Sequence, residues 1–124
     1  MERELLTEFR PLLPGLTLEG TKTLESFQNN ILRPVIKFQH GFLRIYFEAN
    51  SQFKPLITNK TSRTEFQETV KKFIGNQPNI KHQLIGSILG LLTENELDFY
   101  WKNQTEVNKR IHQMICQRVS DTFY

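Results

Sequence analysis

The chain has 124 residues, a net charge of +3 and a pI of about 9.1. That length fits one small domain, and ten Phe supply a core despite a hydrophobic share of only 38%. No apolar run is long enough to span a membrane. Acids crowd Met1-Glu2-Arg3-Glu4 with no apolar stretch behind them, so no secretory signal is expected and the cytoplasm is the expected compartment. With Cys116 the single cysteine, neither an internal disulfide nor a thiolate zinc cluster can form.

Residues 1–21 read as an N-terminal arm, and residues 22–124 as one helical domain. In the arm, Leu5, Leu6, Phe9, Leu12 and Leu13 suit a turn or two of helix ending at Pro14. Pro11, Pro14, Gly15 and Gly20 interrupt it. From residue 23 to 49, Leu24, Phe27, Ile31, Val35, Phe38, Phe42 and Ile45 recur at steps of three and four, which predicts one buried helix face. The phase holds across Pro34, so a long Pro-kinked helix is expected, with a break at Arg33 as the alternative. Residues 50–61 read as a loop.

Ser62-Arg63-Thr64-Glu65 reads as a capping box, opening a helix that stops at Gly75-Asn76 before Pro78. Residues 79–92 predict a helix apolar over most of its girth and therefore central. Thr93-Glu94-Asn95-Glu96 is a second capping box, with acids in the first turn where the helix dipole favours them. Asn103 to Thr105 breaks that helix. Val107, Ile111, Met114, Ile115 and Val119 mark the last one. The expected fold is all-α, an irregular bundle of about five helices, with no period-two strand.

No motif specific to catalysis, a metal or a cofactor appears. Arg33, Lys37, His40 and Arg44 form a basic stripe along the first helix, and residues 22–92 carry a surplus of +6. Such a stripe suits an acidic partner or phosphates, although a solvated face has the same pattern. Lys71, Lys72, Lys109 and Arg110 could extend it. Gly86 and Gly90, one turn apart on the apolar helix, cost roughly 1 kcal/mol each against alanine, which predicts close helix packing. A groove of Gly86, Gly90 and His82 could alternatively hold a ligand. His112 and Cys116 are four apart and can touch, but two ligands are too few for zinc. Of Phe99-Tyr100-Trp101, at least one ring must face solvent, since helical neighbours point about 100° apart.

The string Phe27-Gln28-Asn29-x-x-Leu32-Arg33-Pro34-x-x-Lys37-x-Gln39, with Gly86-x-x-x-Gly90-x-x-Thr93-x-x-Glu96 and Asn108-Lys109-Arg110, resembles a family of small bacterial all-helical proteins without assigned biochemistry. Some members carry a glyoxalase label. The resemblance covers roughly residues 24–119 and implies a cytoplasmic helical protein. Carried over position by position, it makes Gln28, Asn29, Arg33, Lys37 and Gln39 candidate binding residues. A glyoxalase of the vicinal-oxygen-chelate class would need paired β-strand modules with His and Glu ligands, whereas His40, His82 and His112 fall on predicted helices. The functional expectation is a protein-interaction or self-association module, with nucleic-acid binding through the basic face as one alternative and a glyoxalase-type enzyme, as the family label implies, as the other.

Overall fold

The computed structural model describes residues 2–13 and 23–124. Among them there are eight α-helices, one 3₁₀ segment and one π turn, and no strand. The all-α expectation therefore stands, while the count of about five helices does not. Three of the eight arise where one long helix was expected, and a fourth lies inside the expected loop.

The region 23–49 is not one kinked helix. It runs as α1 (Leu24–Phe27), a π turn (Gln28–Leu32), α2 (Arg33–Phe38) and α3 (His40–Glu48). Thr23 caps α1, its hydroxyl accepting from the Ser26 N–H at 3.1 Å. The π turn closes with the Arg33 N–H on the Gln28 carbonyl, one residue beyond the α spacing. This widening delivers Pro34 to the first turn of α2, where its missing N–H costs least. The chain then flattens at Gln39, with ψ of 5°. Hydrogen bonds of 3.0 Å still run across that residue, from the Gln39 N–H to Val35 and from the Leu43 N–H to Gln39.

These two irregularities rotate the buried face. Phe27, Ile31 and Val35 are buried as expected, but beyond them Ile36, Leu43 and Phe47 turn inward instead. Phe38, Phe42 and Ile45 are left 45%, 42% and 59% exposed. A fixed 3.6-residue period could not register a π turn and a break in succession.

The expected loop 50–61 contains α4 (Lys54–Thr58) and the buried Phe53. Asn50 organises its entry, its side-chain oxygen accepting from the Gln52 and Phe53 N–H groups at 2.9 and 3.0 Å. Phe53 is fully enclosed, with ring centroids of Phe47, Phe73 and Phe123 within 5.5 Å.

The remaining helices are α5 (Arg63–Gly75), α6 (Pro78–Leu89), α7 (Glu94–Lys102) and α8 (Gln104–Phe123). Ser62 caps α5 through the Glu65 N–H at 3.1 Å. The second half of the expected box is missing there, because the Glu65 carboxylate accepts from the Thr61 hydroxyl instead. The box at Thr93 forms in full. Asn103 separates α7 from α8.

The central element is α8, not the expected 79–92. It packs against α3, α5, α6, α7 and the π turn, and buries Val107, Ile111, Ile115, Cys116 and Val119. Helix α6 buries Leu84, Ile85 and Ile88, while Asn79, His82, Gln83 and Gly86 face out. At 20 residues α8 is long enough to cross the whole bundle, where α6 has 12.

The described part of the arm is docked. Its 3₁₀ segment (Arg3–Phe9) stops before Pro11, and Pro14, Gly15 and Gly20 lie outside the described residues. The Arg3 guanidinium donates to the Leu92 carbonyl at 2.6 and 3.0 Å and to Gly90 at 3.1 Å. Gly90 is the C-cap of α6 and Leu92 lies in the turn before α7, so Arg3 satisfies carbonyls beyond the helix end. Arg10 makes a forked pair with Glu96 at 2.7 and 2.5 Å and also donates to the Leu91 carbonyl at 3.2 Å.

Candidate functional site

Two surfaces flank α2–α3. The first is the groove between this segment and the C-terminal half of α8. Arg33, Ile36 and His40 form one wall, and Met114, Gln117, Arg118, Asp121 and Thr122 form the other. Its volume is about 590 Å³, within the range of small-molecule sites. Ile36 is buried beneath it. Arg118 Nη1 stands 3.5 Å from His40 Nδ1, so the imidazole nitrogen that faces it accepts when unprotonated. Asp121 is engaged elsewhere, 3.4 Å from Arg63 Nη1 and accepting from Gln117 at 3.0 Å. Among the described residues, the Arg118 guanidinium has no acidic partner.

A smaller depression of about 190 Å³ shares Arg33 and Met114 with this groove and continues it to Glu25, Gln28 and Asn29. There Arg110 donates to the Gln28 side-chain oxygen at 2.9 Å and lies 3.6 Å from Glu25. The fragments Phe27–Gln39 and Asn108–Arg110, distant in sequence, thus meet in space through Gln28 and Arg110.

The second surface is apolar. Phe38, Phe42 and Ile45 stand at steps of four and three on the outer side of α2–α3. Phe9 of the arm lies beside Phe38, ring centroids 6.3 Å apart, and Phe42 lies 5.9 Å from Tyr46. A shallow depression of about 400 Å³ is lined by Phe42, Ile45, Tyr46, Ala49 and Asn50. Beneath the arm, an apolar cavity of about 200 Å³ is lined by Leu6, Phe9, Val35, Phe38 and Leu91 together with Arg10.

The expected site residues therefore separate. Arg33 and His40 reach the groove. Gln28 and Asn29 reach its extension, and Asn29 donates to the Asn30 side chain at 3.1 Å. Gln39 is structural, its amide donating to the Ser87 carbonyl at 3.0 Å and tying the α2–α3 break to α6. Arg44 pairs with Glu48 at 3.0 Å on an exposed helix face, and Lys37 is exposed beyond the groove. Of the basic stripe, Arg33 and His40 line the groove and Arg44 pairs with Glu48.

The glycine groove also fails to form. A Cβ at Gly86 would meet nothing within 4 Å, and Gly86 and His82 are exposed. Gly90 instead ends α6, where a Cβ would come 3.4 Å from the Gly86 carbonyl. The glycine pair is therefore not explained by close helix packing.

His112 and Cys116 do touch, with the sulfur 3.7 Å from the nearer ring nitrogen. Burial pushes the thiol up to about 11, against the opposing pull of Lys71 and Lys81. Burial also lowers the imidazole, helped by the Lys81 and Lys71 charges. Both groups are held neutral, the reverse of an activated thiolate–imidazolium pair. Among the described residues, no three His, Cys, Asp or Glu side chains gather as metal ligands. No helix among them is long and apolar enough to cross a membrane.

Phe99, Tyr100 and Trp101 divide as helical spacing requires. Phe99 stacks on Phe27 at 4.6 Å, Tyr100 is buried and donates to Asn108 at 2.8 Å, and Trp101 is exposed.

Sequence reasoning missed Arg118, Gln117 and Thr122. They lie on one polar face of α8, but nothing in their spacing says that this face meets α2. The chain matches no protein-family model, no curated protein and no solved structure.

Proposed function

We propose that the protein is an interaction module that associates with a second copy of itself through the outer face of α2–α3. The carrying observation is the exposure of Phe38, Phe42 and Ile45 on consecutive turns of an otherwise well-packed helix pair. Isolated exposed apolar residues need no explanation, but a contiguous apolar stripe does. These three side chains and the neighbouring Phe9 offer on the order of 300–400 Å² of apolar surface. Two such faces related by a two-fold axis are self-complementary and approach the lower bound for a transient interface. The depression lined by Phe42, Ile45, Tyr46 and Ala49 gives this face a concave part for an apolar side chain of the second copy. Lys37, Arg44 and Glu48 supply a polar rim of both signs.

Nucleic-acid binding is less well supported, because Arg44 pairs with Glu48 and Lys37 is not among the residues lining the groove with Arg33 and His40. The glyoxalase label likewise has no supporting strand among the described residues. The family resemblance stands as a proposal on the Phe27–Gln39 string, in which Gln28, Gln39 and Pro34 have the structural roles given above.

Sedimentation equilibrium from about 10 to about 500 µM covers the affinity that so small an interface allows. The wild-type chain should rise towards the dimer mass, and the Phe42→Glu/Ile45→Glu double variant should stay monomeric with unchanged helix content. A wild-type chain that stays monomeric throughout would overturn the reading.

A further inference from the structure

The groove on the opposite side of α2–α3 carries a separate inference. From residue 40 to residue 42 the helix turns about 200°, so this groove and the apolar stripe do not compete. Its distinguishing feature is Arg118. A guanidinium partly withdrawn from water normally finds a carboxylate, since an uncompensated charge there is costly. Here it faces the His40 imidazole at 3.5 Å. The one carboxylate among the residues lining the groove, Asp121, instead lies 3.4 Å from Arg63 and accepts from Gln117. Arg33 lines the same groove from α2.

We propose that this groove binds a small phosphorylated molecule, its phosphate held by Arg118 and His40 with Arg33 at the rim, and its carbon skeleton laid on Ile36 and Met114. A phosphate dianion supplies the countercharge that Arg118 lacks, and guanidinium groups match its oxygens in fork geometry. The His40 imidazole beside Arg118 adds a further ring nitrogen that can donate to the phosphate oxygens. A carboxylate, with one charge and two oxygens, offers the guanidinium and the imidazole fewer acceptors. The Thr122 hydroxyl, which donates to the Arg118 carbonyl at 2.7 Å, and the Gln117 amide border the mouth and suit hydroxyl groups on the ligand. The volume of about 590 Å³ admits a molecule of sugar or aromatic size.

Phenyl phosphate is the probe, titrated against the full-length chain by calorimetry and by two-dimensional amide NMR. Benzoate, inorganic phosphate and a short single-stranded oligonucleotide are titrated in parallel. Phenyl phosphate should bind one to one, tighter than benzoate or inorganic phosphate, and shift amides in residues 33–40 and 114–122. Arg118→Gln should weaken it roughly tenfold or more with the helix content unchanged, and Arg118→Lys should recover only part of the loss. The proposal is overturned if phenyl phosphate shifts no groove amide, if benzoate binds as tightly, if Arg118→Gln binds normally, or if the oligonucleotide alone occupies this face. Should Arg118→Gln unfold, His40→Gln replaces it, with the same weakening expected.

Discussion

Glu96 joins two jobs that a double-mutant cycle can separate. One carboxylate oxygen accepts from the Thr93 N–H at 2.8 Å and completes the cap of α7. The two oxygens together receive the Arg10 guanidinium, and both side chains are only 11% exposed. Glu96→Gln keeps a carbonyl oxygen for the cap and removes the charge. Breaking a buried pair by deleting one partner costs about 3–5 kcal/mol when the remaining charge cannot escape. Here it can escape, because Arg10 sits on an arm held by Arg3 and by the Leu6 and Phe9 contacts. The loss is therefore capped by the free energy of docking the arm, which a few charge-assisted hydrogen bonds and partly exposed apolar contacts place at about 1–3 kcal/mol. Arg10→Gln, Glu96→Gln and the double variant should each lose about 1–2 kcal/mol in urea unfolding, with the double no worse than either single. Amide exchange in residues 3–10 should accelerate in all three. Additive losses, or a Glu96→Gln cost above about 3 kcal/mol that persists with Arg10 already removed, would refute the docking argument.

Three further outcomes follow from the packing. Phe53→Ala removes a ring enclosed by Phe47, Phe66, Phe73 and Phe123 and should cost about 3–5 kcal/mol in denaturant unfolding; a loss under about 1 kcal/mol would mean that the 50–61 segment is not part of the core. His112 is held below its ordinary 6.5, first by burial and then by Lys81 and Lys71, so the folded state favours the neutral ring. Its contribution to stability is present above pH 6.5 and lost as pH falls through the lowered folded value; His112→Gln should flatten the urea midpoint across that window, and an unchanged slope would contradict the burial. Cys116, raised to about 11, is almost wholly thiol at neutral pH. Its modification by a disulfide reagent should be far slower in the native chain than in urea, and equal rates would show an accessible thiol.

The helix boundaries with local chemical signals were legible in the sequence. Thr93 and Ser62 cap where expected, Gly75-Asn76 and Pro78 divide α5 from α6, and Asn103 divides α7 from α8. What failed were features set by longer-range geometry. The π turn before Pro34 and the flattening at Gln39 shift the register of α2–α3, so residues at a steady 3–4 spacing ended on different faces. Gln39 shows why: its break is held by a side-chain bond to Ser87, 48 positions away. Phe53 went unread because a single aromatic in a polar loop has no period. Of the candidate site, Arg33 and His40 were visible as a basic stripe, but Arg118, which faces His40, is contributed by α8 through the tertiary fold alone.

The central claim, that the outer face of α2–α3 joins two copies, is tested most directly by comparing amide and aromatic NMR spectra at high and low protein concentration. Dilution should shift Phe38, Phe42, Ile45 and their neighbours while α5 and the 114–122 groove stay fixed. Spectra that do not change with concentration, or changes centred on α5 or the groove, would contradict it.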